Sequence, residues 1–310
     1  MRGFFGPEGT FTHQALIALL TTRSEDTQIC PYATVQRALD AVRIGEVKSA
    51  VVPIENSVEG GVSATLDYLA LPASPLRIMA EVVIPVSFDL LVRPGTSIDQ
   101  IHSVISHPHA IAQVRGWLSD HLPHVSIVEK GSTAAGAAEV AKNSTYDAAI
   151  AAPIAAELYG LVPLARQIND SAVAQTRFVE VTNSDSVVEP TGCDKTTFVA
   201  YLRQDRSGAL LDILSQLAVH GVNLCRIESR PTKTTLGHYC FSIDAEGHIA
   251  DARLAQSLIG LKRICKDVVF LGSYPRADGI APSIPDGYTN SDYESARQWC
   301  DQISVFKRLS

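Results

Sequence analysis

Through the first 180 residues, short apolar runs broken off by Gly, Pro, Ser, Thr or His alternate with stretches whose apolar side chains recur at helical spacing, and that rhythm restricts the fold most. Gly3 to Phe5 gives way to a helix from about Phe11, where Phe11, Ala15, Leu16, Leu19 and Leu20 form one stripe behind a Thr10 cap. Val35, Ala38, Leu39 and Val42 mark a second helix, followed by an apolar strand from Ser49 to Ile54. Val104-Ile105 precedes a helix opened by Pro108, Val125 to Val128 a helix after Ser132-Thr133, and Ala148 to Ala151 a helix opened by Pro153. Such alternation implies mostly parallel sheets covered by helices on both faces, an α/β domain. The extended run Ile78 to Val92 lies between two such halves and predicts a strand passing from one lobe to another, with a cleft between them.

The polar, Pro/Gly-punctuated segment from Thr182 to Asp194 marks a domain boundary, and the rhythm changes after it. Thr196 to Leu202 reads as a strand, Gly208 to His220 as a helix, Asn223 to Ser229 and Gly237 to Asp244 as a hairpin pair, Ala252 to Cys265 as a helix and Val268 to Leu271 as a strand. The order βαββαβ is that of a ferredoxin-like unit. From Pro275 the chain is turn-rich, then helical from Ser291, where Ser291 and Glu294 make a capping-box pattern and Tyr293, Ala296, Trp299, Cys300, Ile303 and Phe306 an apolar stripe.

At 310 residues and 46% apolar content the chain is long enough for two cores. Its net charge of −7 and pI near 5.7 argue against a nucleic-acid partner, because phosphate binding needs a concentrated basic surface. Neither a signal peptide nor a run long enough to span a bilayer is visible, so no membrane partner is expected and the location reads as cytoplasmic. The six cysteines form no C-x-x-C pair, and the pairs His107/His109 and His121/His124 lack acidic or thiol ligands at metal spacing, so no metal is expected.

Four polar clusters fall where strands should end. Pro53-Ile54-Glu55-Asn56-Ser57 closes the central strand with a carboxylate, a carboxamide and a hydroxyl, a place where open α/β sheets hold anions. Gly6-Pro7-Glu8-Gly9-Thr10, Ser106-His107-Pro108-His109 and Ser171 to Phe178 are the others. Each alone reads as a helix cap or a turn, and Arg177 alone as a surface ion pair. Together they mark a site, with Arg177 beside Gln175 and Thr176 suited to bidentate carboxylate binding.

On these residues the chain resembles the prephenate dehydratase family: Gly6-Pro7-Glu8-Gly9-Thr10-Phe11, Pro53-Ile54-Glu55-Asn56-Ser57 and Thr176-Arg177-Phe178 look like its three motifs, in order. Gly208-Ala209-Leu210-Leu211 and Glu228-Ser229-Arg230-Pro231 resemble the effector motifs of the ACT domain attached to such enzymes. One departure stands at His109, where the family commonly shows glutamine.

The resemblance implies a two-lobed, periplasmic-binding-protein-like catalytic domain over residues 1–184, an ACT regulatory domain over 195–273 and a C-terminal extension over 274–310. It implies loss of carbon dioxide and hydroxide from prephenate to give phenylpyruvate for L-phenylalanine synthesis, with no cofactor. Thr176 would assist the leaving hydroxyl, Glu55 would serve as the acid only if burial raised its pKa, and Arg177 would hold a carboxylate. Thr10, Asn56, Ser57, Ser106, Gln113, Gln175 and Phe178 would line the substrate pocket. Phenylalanine would bind as allosteric effector among Gly208, Ala209, Leu210, Leu211, Asn223, Leu224, Glu228, Ser229, Arg230 and Pro231, between paired subunits, implying a homodimer or homotetramer. A non-catalytic amino-acid or solute sensor is the alternative, weakened by the missing secretion signal and by Thr176-Arg177. A chorismate mutase fusion would need a helical domain before Gly3.

Overall fold

The apolar runs assemble into three sheets in the computed structural model, which describes residues 1–58, 60–71, 76–143, 145–170, 174–232 and 239–304. The chain divides into two units, Met1–Tyr68 with Val82–Asn183, and Leu69–Glu81 with the chain from Ser184 onward.

The first unit has two lobes, each built on its own sheet. In one, Ile29–Tyr32, Arg2–Phe5 and Ser49–Asn56 run parallel, with Gln175–Thr182 antiparallel beside Ser49–Asn56 and Arg77–Pro85 completing the order. In the other the order is Val162–Ala165, Asp89–Val92, Ala148–Ala151, Ser103–Ser106, Ser126–Glu129, parallel over the last three and antiparallel over the first three. The two-lobed α/β arrangement is the one expected, with the parallel pairing confined to half of each sheet. The antiparallel strands flank the crossovers, where the chain enters or leaves a lobe without the helical connection parallel neighbours require. Buried Phe4, Leu16, Leu39, Val51, Val52 and Ile54 fill the first lobe, and Leu90, Val92, Val104, Ile150 and Leu118 the second.

Two side chains brace the first unit, one at the crossover between its lobes and one within the first lobe. Asn169 spans the outgoing crossover: its Oδ1 accepts from Phe88 N–H at 2.7 Å and its Nδ2 donates to Val86 C=O at 3.0 Å. At the far end of the central strands, the buried Glu180 carboxylate accepts from Arg2, from Arg23 Nη1 at 2.6 Å and from Ser49 Oγ at 2.6 Å, joining three strands and the first helix's exit.

The second unit contains Asp194–Tyr201, Ala209–Ala218, Leu224–Pro231, Tyr239–Glu246, Ala252–Ile264 and Asp267–Pro275, the βαββαβ order expected. Its four strands are all antiparallel, with Leu224–Pro231 and Asp267–Pro275 at the edges. Phe198, Ile213, Leu217, Ile243, Leu254 and Leu261 make its core. The terminal helix runs Asn290–Ile303, and its capping box is Thr289 with Asp292, two residues before the Ser291/Glu294 pair expected. The Thr289 hydroxyl accepts from Asp292 N–H at 3.2 Å while the Asp292 carboxylate accepts from Thr289 N–H at 2.9 Å, which lets the helix start one residue earlier. Tyr293 donates or accepts at His220 Nδ1, 2.7 Å away, whereas Trp299 and Ile303 of the apolar stripe are exposed; Phe306 lies outside the described residues. No helix among the described residues is long and apolar enough to cross a membrane.

Candidate active site

Strand pairing brings the second and third motifs together. Thr176 lies opposite Asn56 and Arg177 opposite Glu55, but Phe178 faces Pro53, so Ile54 is the extra residue of a β-bulge. Because side chains alternate along a strand, the bulge lets Pro53 and Asn56 share one face with Thr176 and Phe178. Asn56 Nδ2 donates to Thr176 Oγ1 at 2.8 Å. The Asn56 orientation is fixed from its other end, since Val58 N–H donates to Oδ1 at 2.8 Å, and only the amide oxygen can accept that bond. Thr176 is therefore the acceptor in this pair, and its own hydroxyl proton is left to point elsewhere.

Thr176 lines a cavity of about 760 Å³ between the two lobes, the size that suits a small metabolite. Thr176, Asn56, Phe178 and Pro53 form one wall, with Gly6, Pro7, Thr10 and Phe11 beside them; His107, His109, Gln113, Ser132 and Thr133 come from the second lobe, and Val86 and Phe88 from the crossover. Three helices begin at this cavity. Thr10 caps Phe11–Thr22, Ser132 caps Thr133–Lys142 with Oγ accepting from Ala135 N–H at 3.0 Å, and His107 opens Pro108–Gln113. The lining contains no lysine, arginine, aspartate or glutamate among the described residues; the groups there that can favour an anion are helix N-termini, hydroxyls, amides and imidazoles. His13 backs the opening loop: its Nδ1 accepts from Gly9 N–H at 3.1 Å, its ring stacks on Phe4 at 5.0 Å, and burial, opposed by Glu8, holds its pKa below the ordinary 6.5.

The remaining expected residues fall elsewhere. Arg177 sits between Thr176 and Phe178 on the opposite strand face, where Nε donates to Glu55 Oε2 at 3.0 Å; neither side chain lines the cavity. Their bond to each other sets these two side chains apart from the cavity-lining groups expected beside them. Ser57 and Gln175 tie the strand ends together, Gln175 N–H donating to Ser57 Oγ at 2.8 Å and Ser57 N–H to Gln175 C=O at 2.9 Å. Ser106 is wholly buried and donates to Ile150 C=O at 2.6 Å, which locks neighbouring strands instead of facing the cavity. Thr10, Asn56, Gln113, Thr176 and Phe178 do line it. The sequence reading passed over Ser132, Thr133, His107 and His109 as lining groups. Their signal was available, in that each opens a helix after a strand of the second lobe.

In the second unit, Gly208, Ala209, Leu210 and Leu211 line a separate cavity of about 390 Å³ with Leu202, Asp205, Arg206, Leu214 and Phe241. Asn223, Leu224, Ser229 and Pro231 belong to the other motif group, on or beside the Leu224–Pro231 edge strand. There Glu228 lies between Arg226 and Arg230, at 3.5 and 3.4 Å, and Arg226 in turn holds buried Asp244. The edge-strand residues are not part of the lining of the Gly208–Leu211 cavity.

A two-lobed α/β unit with a cavity of this size between its lobes, lined by hydroxyls, amides, imidazoles and helix N-termini, has the character of a small-molecule site. Comparison with known proteins narrows the class. The family profile "Prephenate dehydratase" matches residues 3–186. The prephenate dehydratase of Amycolatopsis methanolica is 46% identical over 297 residues, 96% of this chain and 95% of that protein. A solved prephenate dehydratase from Arthrobacter aurescens, in complex with L-Phe, superposes with a TM-score of 0.90 at 46% identity, covering 97% of this chain and 98% of that one. A solved structure described as a novel type of quorum-quenching acylase, GqqA, matches at TM-score 0.78 and 29% identity, over 88% of this chain and 97% of that one. The chain belongs to the prephenate dehydratase family and is a carbon–oxygen lyase.

Proposed function

We propose that the interlobe cavity binds prephenate and that Thr176 assists departure of its ring hydroxyl. Since one architecture can serve unrelated chemistries, the reading rests on the site itself. In the reaction the bond to the ring carboxylate breaks, its electron pair enters the ring, and the C–O bond leaves with its own pair on oxygen, giving carbon dioxide, hydroxide and aromatic phenylpyruvate. Negative charge grows on the departing oxygen, and a hydrogen bond aimed there lowers the barrier. The observation that carries the proposal is the 2.8 Å bond from Asn56 Nδ2 to Thr176 Oγ1, which leaves the threonine O–H as a donor. The helix N-termini at Thr10, His107 and Ser132 suit the two carboxylates, and Phe11, Phe88 and Phe178 suit the ring. We assign Arg177 and Glu55 to holding the strand pair in register. Incubating purified protein with prephenate and following phenylpyruvate tests this: the wild type turns over, and Thr176→Ala loses about 10²- to 10³-fold in kcat. Equal loss in kcat and in substrate affinity contradicts the role.

The same proposal covers regulation. The second unit would act as an ACT domain binding phenylalanine between two subunits, so that exposed Leu210 and Leu211 beside Gly208 on one copy and Glu228 to Pro231 on the other complete one site. Phenylalanine should inhibit the wild type, and Glu228→Gln or Arg230→Gln should keep activity while losing inhibition. Unaltered inhibition in both variants contradicts this assignment.

A further inference from the structure

Besides the crossovers, the lobes meet at a contact that no sequence motif announces. Tyr159, the last residue of Ile154–Tyr159 in the second lobe, donates its hydroxyl to Glu8 C=O in the first lobe's opening loop at 2.9 Å. Gly160 stops the helix in a left-handed turn, which fixes where Tyr159 is presented. Next to Glu8, Gly9 has φ +82°, and a Cβ there would lie 3.0 Å from the Tyr159 ring, 3.4 Å from Ala134 and 3.4 Å from Leu158. The loop therefore rests flat on two helices of the other lobe. It also carries Pro7 and Thr10 into the cavity, while one of those helices brings Ser132, Thr133 and Ala135. His13 holds the loop from behind through Gly9 N–H. The Tyr159 phenol is half-buried, and desolvation together with Glu8 raises its pKa, so it stays protonated as a donor.

We propose that Tyr159 is a positioning residue for the reaction: its bond to Glu8, seated on Gly9, holds the lobes together over bound prephenate. The inference rests on the reading of the cavity as the prephenate site. A single neutral hydrogen bond shifts such a closure equilibrium by about two- to tenfold, and a fall in the competent fraction appears as weaker apparent binding. Tyr159→Phe removes only the hydroxyl. It should raise KM for prephenate about two- to tenfold with kcat within twofold and the thermal midpoint unchanged. Gly9→Ala, which puts a β-carbon at positive φ and against the ring, should also raise KM, at some cost in thermal midpoint, and the double variant should fall short of the product of the two effects on KM because they break one contact. An unchanged KM in Tyr159→Phe overturns the proposal, as does a fall in kcat and thermal midpoint with KM constant. A wild type that fails to turn over prephenate would instead overturn the reading of the cavity, and is seen before any variant is made.

Discussion

Two atoms decide how Thr176 behaves. The Asn56 carboxamide is read from its backbone partner, Val58 N–H, and that leaves its amino group to donate to Thr176. Asn56→Asp keeps the shape but replaces the donor by a second acceptor, which takes the threonine proton for itself. We expect kcat to fall about 10²-fold with phenylpyruvate release as the readout, and the fold to persist as judged by thermal melting. Thr176→Ser should retain most activity because the hydroxyl survives. His13 contributes at the same scale. Its pKa is lowered in the folded state, chiefly by burial, so between that lowered value and 6.5 the unfolded chain holds a proton that the folded chain does not. Its contribution to stability is complete above pH 6.5 and declines as pH falls below it. His13→Gln should flatten part of the loss in urea midpoint seen on acidification through that window; an unchanged slope counts against it. The motifs identified Thr176, Asn56 and Thr10 from sequence, but the direction of Arg177, Glu55 and Ser106 was hidden. Strand facing depends on register, and a bulge at Ile54 inverts the local alternation without changing any residue that sequence inspection would flag.

Elements were legible where their period was strong. The helices behind Thr10, Thr34 and Ser132 and the βαββαβ order follow from apolar spacing and caps. Partners were not legible, because pairing between residues 49–56 and 175–182 closes more than a hundred residues of chain and leaves no local mark. Asn169 was invisible for the same reason, as a polar loop residue whose meaning lies in the crossover backbone it spans. The capping box at Thr289 was displaced because Ser291 with Glu294 satisfies the same pattern, and the outcome turned on which hydroxyl met a free N–H. Glu180 belongs to this scale too. It is buried beneath Arg2 and Ser49 on two neighbouring strands and Arg23 at a helix exit, so Glu180→Ala takes the carboxylate from Arg23 and leaves Arg2 only its half-exposed partner Glu25. A loss of about 3 to 5 kcal/mol in chemical denaturation is expected, with the first unit unfolding early. A loss below about 1 kcal/mol would mean that water replaces the carboxylate at no cost.

At the scale of the whole molecule, the chain joins a two-lobed unit, whose cavity has no lysine or arginine among its described lining residues, to a ferredoxin-like unit with its own apolar pocket. Fold class and family were readable in advance, because motif order carries both. The convergence of three helix N-termini was not, since it exists only after folding, whereas a charged Arg177 is conspicuous in a sequence. The site should tolerate weakening of the Arg177–Glu55 pair, which lies on the strand face away from the cavity, better than loss of its hydroxyl donor. The most direct test compares steady-state turnover of prephenate by Thr176→Ala and by Arg177→Lys, each with its thermal midpoint recorded. Thr176→Ala should lose about 10²-fold or more in kcat at an unchanged midpoint, while Arg177→Lys should lose midpoint first and keep most of its kcat. A folded Thr176→Ala variant turning over at the wild-type rate would contradict the central claim.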